Sequence, residues 1–431
     1  MVLQTDLIKE SLDKCIEVMK KYEWLLELYV LDFFVDNHWG KLPLTWRFAF
    51  KNMDPQDLGD ILTGKHTKHV LPLTFLSLLK SVESLSLPRK SEKLWSENLD
   101  SSKFKNLFLK HVKLKKRHEI NLMSNVVSKV AQLNSCGTVV DFGSGLGHLV
   151  RILSYKHKIN AIGIEAQSQL SEEARKLDLE WEYTAKKQLS EEEICCLRRP
   201  NHVNVTLSST NQLDNITNDT SYGLIGLHPC GDLGPLLIKH FVSCENVKFI
   251  CVVGCCYMKL SCDTQSCGYP MSEYVKQKDS SLSYTVREIS CHAIDMYCER
   301  LCKGDYNDLK IHAYRAALEK LLVTADSKLK HTPVRSIKHS NDMTFESYLV
   351  KATERLTVPV LDSSLVAEDL KQWRRVVVLY TLRLMLAPLV ETIILLDRML
   401  YILENGLSCE IHPVFDPRIS PRNHIIFGKR L

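Results

Sequence analysis

The chain has 431 residues, 45% hydrophobic and 25% charged, with a net charge of +5 and a pI near 8.4. This is the composition of an ordinary globular protein, long enough for two or three domains, and it sets aside disordered and fibrous classes. The mild basicity permits an anionic partner without requiring one.

Residues 1 to about 35 carry apolar positions at helical spacing: Leu7, Leu12, Ile16 and Met19, then Trp24, Leu25, Leu28 and Leu31. The start, MVLQTDLIKESLDKC, is charged and helical, unlike the apolar core of a secretory signal. In MDPQDLGDILTG, Asp54 reads as a helix cap, Pro55 as its first turn and Gly64 as its end. Residues 1–102 are therefore expected to form a helical region. Residues 103–118, KFKNLFLKHVKLKKRH, hold seven Lys or Arg and no acid, interleaved with Phe104, Leu107, Phe108, Val112 and Leu114. Such a stretch suits a phosphate backbone, and equally a solvated helix face.

The texture then changes. GTVVDFGSG, NAIGIEA, HVNVTLSS, YGLIGLHPC and VKFICVVGCCY read as five buried strands separated by helical segments. Alternation at βαβ spacing predicts an α/β fold with a mostly parallel sheet over residues 103–260. Residues 261–365 read as an insertion of mixed helix and loop. Residues 366–431 read as a helical pair and two final strands, Cys409–Phe415 and Asn423–Lys429. Val376 to Leu403 is long enough for a bilayer, but Arg383, Glu391, Asp397, Arg398 and Pro388 interrupt it. Two helices of a soluble core are expected there, and no membrane span.

VVDFGSGLGH is the strongest motif. A strand ends in Asp141, and Gly143, Ser144, Gly145 and Gly147 open a helix, where a ligand approaches the backbone closely. Glu165 ends the second strand, 22 residues after Gly143, at the place where an acid accepts both hydroxyls of a ribose. The spacing is G-x-G-x-G, one residue shorter than the dinucleotide fingerprint. Asp141 would repel a pyrophosphate but suits the cationic methionine end of S-adenosyl-L-methionine. The expected cofactor is therefore S-adenosyl-L-methionine, with the adenine contact following the third strand near Ser209.

These segments, together with FFVDNHWGKLP, KHVKLKKRHEI, GLHPCGDL, GCCYMKL, CGYP, YRAALE, LAPLVETIILLDRMLY and SPRNHII, resemble the methyltransferase-like 25 family over nearly the whole chain. One member is named for a ribosomal RNA adenine dimethylase domain. The resemblance implies a Rossmann-like, class I methyltransferase fold: seven strands, mostly parallel, ending in a C-terminal β-hairpin. It also implies an RNA acceptor, rRNA or tRNA. Adenine dimethylases, however, carry an Asn-Leu-Pro-Tyr type motif at the fourth strand end, and here that place holds LHPCGDL. Certain tRNA 2′-O-methyltransferases carry His-x-Cys-Gly there and a Cys-Cys pair at the fifth strand, as this chain does. A protein acceptor and a non-catalytic scaffold are the alternatives.

His228, Cys230 and Asp232 are expected at the catalytic rim, His228 orienting or deprotonating the acceptor. Lys116, His118, Cys255, Cys256 and Tyr257 are expected to line the pocket. A zinc site of His228, Cys230 and the Cys pair is weighed and set aside, because Cys251 and Cys255 lie too far apart along a strand to share an ion. No metal is expected. The fifteen cysteines include no C-x-x-C, so free thiols and a cytoplasmic or nuclear setting are expected.

Overall fold

The computed structural model describes residues 2–65, 67–91, 108, 112–206, 221–262, 268–278, 280–304, 306–337, 340 and 342–430. They fall into two compact units. Residues 1–14, 87–282 and 391–431 make one, and residues 15–86 and 283–390 the other.

The first unit is built on a seven-stranded sheet: β1 (Thr138–Phe142), β2 (Asn160–Glu165), β3 (Asn201–Asn204), β4 (Tyr222–Gly226), β5 (Val247–Val253), β6 (Ser408–Pro413) and β7 (His424–Lys429). Their order across the sheet is β3-β2-β1-β4-β5-β7-β6. The first five run parallel, and β7 pairs antiparallel with both β5 and β6. The seven strands and closing hairpin match the sequence expectation. β1 and β4 are buried along their whole length, which is why they read as unbroken apolar runs. The connecting helices are α1 (Leu114–Leu133), α2 (His148–Tyr155), α3 (Ser168–Ala185) and α4 (Leu233–Ser243). The core between α1, α2, α3 and the sheet includes Ile120, Met123, Val127, Val139, Leu153, Trp181 and Phe249. Trp181 lies flat between Tyr155 and Phe108, with ring centroids 3.9 and 5.1 Å away.

The second unit is helical. Its N-terminal part centres on Trp46, whose ring packs against Tyr22, Phe50 and Phe75 and whose Nε1 donates to Thr74 Oγ1 at 2.8 Å. The helix Pro55–Leu62 begins with the expected Asp54 cap and Pro55. A second cluster joins Leu318, Leu321 and Leu322 of helix Asn307–Ala325 to Phe345, Tyr348 and Val366. Segments read from sequence as an N-terminal region and an insertion thus share one unit. Helix Pro55–Leu62 packs against Ile294–Cys302, because each amphipathic helix needs an apolar partner. Residues 1–14 and 261–282 go instead with the sheet.

Residues Trp373–Glu404 are long and apolar enough to cross a membrane, with mean hydropathy 1.8, and 94% of the most apolar window is buried in the protein. They form two helices, Trp373–Leu384 and α5 (Ala387–Glu404), separated just before Pro388. Three of the charged groups inside this segment are hydrogen-bonded by the protein. Arg383 donates twice to Leu26 O. Glu391 accepts from Arg89, Arg422 and the Tyr257 hydroxyl. Asp397 accepts from the Met271 and Ser272 amides and the Ser272 hydroxyl, at 2.7–2.9 Å.

Candidate functional site

Because β1, β2, β4 and β5 are parallel, their C-terminal ends share one edge of the sheet, where ligands of open α/β folds bind. The glycine turn stands at that edge. Gly143 and Gly145 have φ of 72° and 57°, a backbone shape that L side chains rarely adopt. The space beside them is open: a Cβ on Gly145 would meet nothing within 4 Å, and one on Gly143 only Leu233, at 3.8 Å. Both Gly143 N–H and Ser144 N–H donate to Ile164 O, tying the turn to β2.

Glu165 sits where the ribose acceptor was expected. Its Oε2 accepts from Gly145 N at 2.9 Å and its Oε1 from Gln167 N at 3.0 Å. A carboxylate offers about four acceptor positions, so one remains on each oxygen for a diol. Asp141 is buried at the end of β1. Burial pushes its carboxyl up to about 8, with Glu165 adding to the rise and Lys116 on α1 opposing it. Lys116 is thus electrostatically coupled to the site, as the helix over the glycine turn should be.

Two cofactor expectations change. A Cβ on Gly147 would run into the His202 ring, so this glycine serves close packing and not the ligand. His202 is fixed by Asp178, which also takes Arg151, at 2.7 and 2.5 Å, in a buried network supporting the turn from behind. The Ser144 hydroxyl lies over Gly163 of β2 and is buried without a partner, so Ser144 offers its backbone to the open side. Ser209 lies outside the described residues.

The second half of the rim is made by the loops after β4 and β5. His228 Nε2 lies 3.1 Å from Glu119 Oε2 on α1, and its Nδ1 lies 3.8 Å from Cys255 Sγ. Glu119 is buried and also accepts from Ser420 Oγ at 2.6 Å. Burial works to raise the Glu119 carboxyl, but the hydrogen bonds from His228 and Ser420 prevail and hold it below the usual range. Cys230 Sγ is 3.1 Å from Cys256 Sγ and 4.0 Å from Cys255 Sγ, and the last two are 3.4 Å apart. The Cys255 thiol holds Cys230 well below the ordinary thiol range, against the effect of burial. Cys255 is pushed up in turn, first by the same contact and then by burial.

Three expected rim residues are placed elsewhere. Asp232 accepts from Ser261 N at 2.9 Å and Ser261 Oγ at 2.5 Å, so it ties the two loops together instead of facing an acceptor. Tyr257 is fully buried, its hydroxyl on Glu391 and its ring beside Arg398 and Arg422. An apolar ring needs a dry site and its hydroxyl a partner, and α5 supplies both. His118 turns to the closing hairpin, where its Nε2 accepts from Asp416 N at 2.9 Å. The hairpin segment Ser420–His424 is more than a turn. Ser420 and Asn423 are fully buried, Asn423 donates to Arg89 O at 2.6 Å, and His424 Nε2 lies 2.8 Å from Pro88 O.

Residues 115–263 match the family model described as a methyltransferase domain. The sheet edge, the glycine turn and both loops of the rim fall within that match. This part of the chain is similar to methyltransferase domains. The chain is also similar to probable methyltransferase-like protein 25 of Mus musculus, 29% identical over 244 residues, covering 52% of this chain and 40% of that protein. The Homo sapiens counterpart is 28% identical over 225 residues, covering 48% and 36%. The chain thus matches about two-fifths of the length of these relatives, and they support the resemblance seen in the motifs. Among solved structures, an O-methyltransferase family protein from Burkholderia thailandensis aligns over 89% of this chain and 90% of its own, with TM-score 0.25 and 10% identity. Coclaurine N-methyltransferase bound to N-methylheliamine and SAH aligns over 98% of both chains, with TM-score 0.24 and 11% identity.

Proposed function

We propose that the protein is an S-adenosyl-L-methionine-dependent methyltransferase. The observation that carries this is the open cradle at Gly143 and Gly145, flanked by Asp141 and Glu165 within the region similar to methyltransferase domains. The backbone of Gly143, Ser144 and Gly145 would hold the cofactor, Glu165 its ribose, and Asp141 with Lys116 its zwitterionic methionine end. The bound cofactor supplies an electrophilic methyl group. The protein's part in direct transfer is alignment and exclusion of water more than acid–base work. The loops after β4 and β5, tied by Asp232 to Ser261, form the acceptor side.

The test is a thermal shift with S-adenosyl-L-methionine and with its demethylated product. A rise in Tm with either supports the reading. Stabilisation by NAD and by neither of the two overturns it.

RNA is the acceptor class we favour. Its support is the motif resemblance and the acid-free basic stretch 103–118, of which 108 and 112–118 are described. Methyl-labelled cofactor, incubated with an extract lacking the endogenous protein, separates the readings. Label released by ribonuclease supports RNA. Label that resists ribonuclease and yields to protease moves the acceptor to protein. A non-catalytic role has one observation in its favour: both His228 nitrogens face protein groups, Glu119 and Cys255. Absence of transfer to any extract component, with cofactor binding intact, selects it. The free thiols fit a reducing compartment, cytoplasm or nucleus.

A further inference from the structure

Adjacent residues of a strand point to opposite faces, so Cys255 and Cys256 would normally diverge. They do not, because Cys256 adopts φ 49°, a left-handed conformation uncommon for any residue but glycine. The turn brings both thiols to one side, and Gly231, at φ 60°, lets the β4 loop present Cys230 to them. Such local strain is characteristic of sites where the side-chain direction matters.

The three sulfurs all lie within 4.8 Å of one another. A tetrahedral zinc ion with Zn–S bonds of about 2.3 Å sets its sulfurs about 3.8 Å apart. The observed separations of 3.1, 3.4 and 4.0 Å bracket that value, so sulfur shifts of a few tenths of an ångström would seat an ion. His228 Nδ1 is 3.8 Å from Cys255 Sγ but stands outside the three-thiol group, so it would have to swing towards the ion. Its other nitrogen faces Glu119, the carboxylate–histidine arrangement that orients metal-ligating imidazoles. Three thiolates and a neutral imidazole on Zn²⁺ leave one net negative charge. The fully buried Arg398 guanidinium, which interacts with both Asp232 and Cys255, opposes that charge.

We propose that Cys230, Cys255 and Cys256 bind a zinc ion, with His228 Nδ1 as the fourth ligand oriented by Glu119. Four protein ligands leave no open position, so the ion clamps the loops after β4 and β5 and activates no water. Binding forms three Zn–S bonds and one Zn–N bond and releases the thiol protons to solvent. Cys251 plays no part, because it is buried inside the sheet.

The test uses the full chain, purified with reductant and stripped of metal. Zinc should bind at one equivalent and shield Cys230, Cys255 and Cys256 from alkylation, read by peptide mapping. Cobalt in place of zinc should give tetrahedral d–d bands with a strong thiolate charge-transfer band. Cys230→Ser and Cys256→Ser should each weaken zinc binding by at least 100-fold, and His228→Ala by about 10-fold. No stoichiometric zinc, or alkylation of the three thiols unchanged by zinc, overturns the site. Unchanged zinc affinity in His228→Ala overturns the fourth ligand. The wild-type cobalt spectrum and alkylation pattern keep the test decisive if a serine variant fails to fold. None of these readouts requires methyl transfer, so a failed zinc site leaves the methyltransferase reading standing.

Discussion

The two halves of the rim are built in opposite ways. The glycine turn after β1 offers backbone, and its shape follows from residues 141–147 and their pairing with the neighbouring strand. The loops after β4 and β5 offer side chains, and these are placed by groups far away in sequence: Glu119 on α1, Ser420 in the hairpin, and Glu391 and Arg398 on α5. The first half should fail through local changes to the chain. The second should respond to distant ones.

The largest expected effect tests the backbone half. Gly145→Arg fills the open side of the turn and forces a side chain onto a φ of 57°. The Tm rise with S-adenosyl-L-methionine should vanish, and methyl transfer with it. A variant that still responds to the cofactor at wild-type concentration would show that the ligand does not approach Gly145.

Glu119→Gln tests the side-chain half from a distance. The amide keeps the shape but loses one acceptor among the partners His228 and Ser420. Changing an outer partner of a ligating histidine typically costs 10–100-fold in metal affinity. Zinc affinity should fall by about that factor, while the thermal shift with S-adenosyl-L-methionine stays. Equal loss of both would mean that the two halves are one unit.

The same contrast explains what could be read in advance. The α/β class, the strand positions, the closing hairpin, Asp141, Gly143, Gly145 and Glu165 were all legible. Each depends on periodicity or on spacing within one βαβ segment. Asp232 and Tyr257 were misplaced because proximity in sequence to His228 and Cys256 says nothing of side-chain direction. Ser261 and Glu391 decide those directions, from 29 and 134 residues away. The grouping of the three thiols is hidden from the sequence for a related reason. Strand geometry keeps Cys251 and Cys255 apart, whereas the left-handed Cys256 brings Cys230, Cys255 and Cys256 together by leaving strand geometry. Nothing in a pattern of apolar residues announces a positive φ at a cysteine.

Asp141→Asn separates the charge of the turn from its shape. The carboxyl sits at about 8 in the folded protein against 3.8 for a free side chain, chiefly through burial. Its stabilising effect is therefore complete below pH 4 and is lost as pH rises towards 8. The asparagine variant lacks this slope, so without ligand its Tm should gain on the wild type between pH 5 and about 8 and hold that gain above. Cofactor affinity should move the other way. The wild type should bind more tightly as the carboxylate forms, and the variant weakly throughout. A parallel pH dependence of Tm in both proteins would show that Asp141 is ionised at neutral pH even without the cofactor.

The smallest expected effect on chemistry is that of Tyr257→Phe. It removes the hydroxyl that donates to Glu391 Oε1 at 2.9 Å and keeps the ring beside Arg398 and Arg422. A buried hydrogen bond to a charged group is worth about 1.5–3 kcal/mol, but Arg89 and Arg422 continue to compensate Glu391, so the lower end applies. Tm should drop by a few degrees while kcat and KM for the methyl acceptor stay within about twofold. The sequence places this tyrosine next to the Cys pair, where an aromatic would stack on a substrate. The structure puts its hydroxyl on α5, pointing away from that role. A fall in kcat with unchanged Tm would return Tyr257 to the acceptor pocket and show that the α5 contact opens during catalysis.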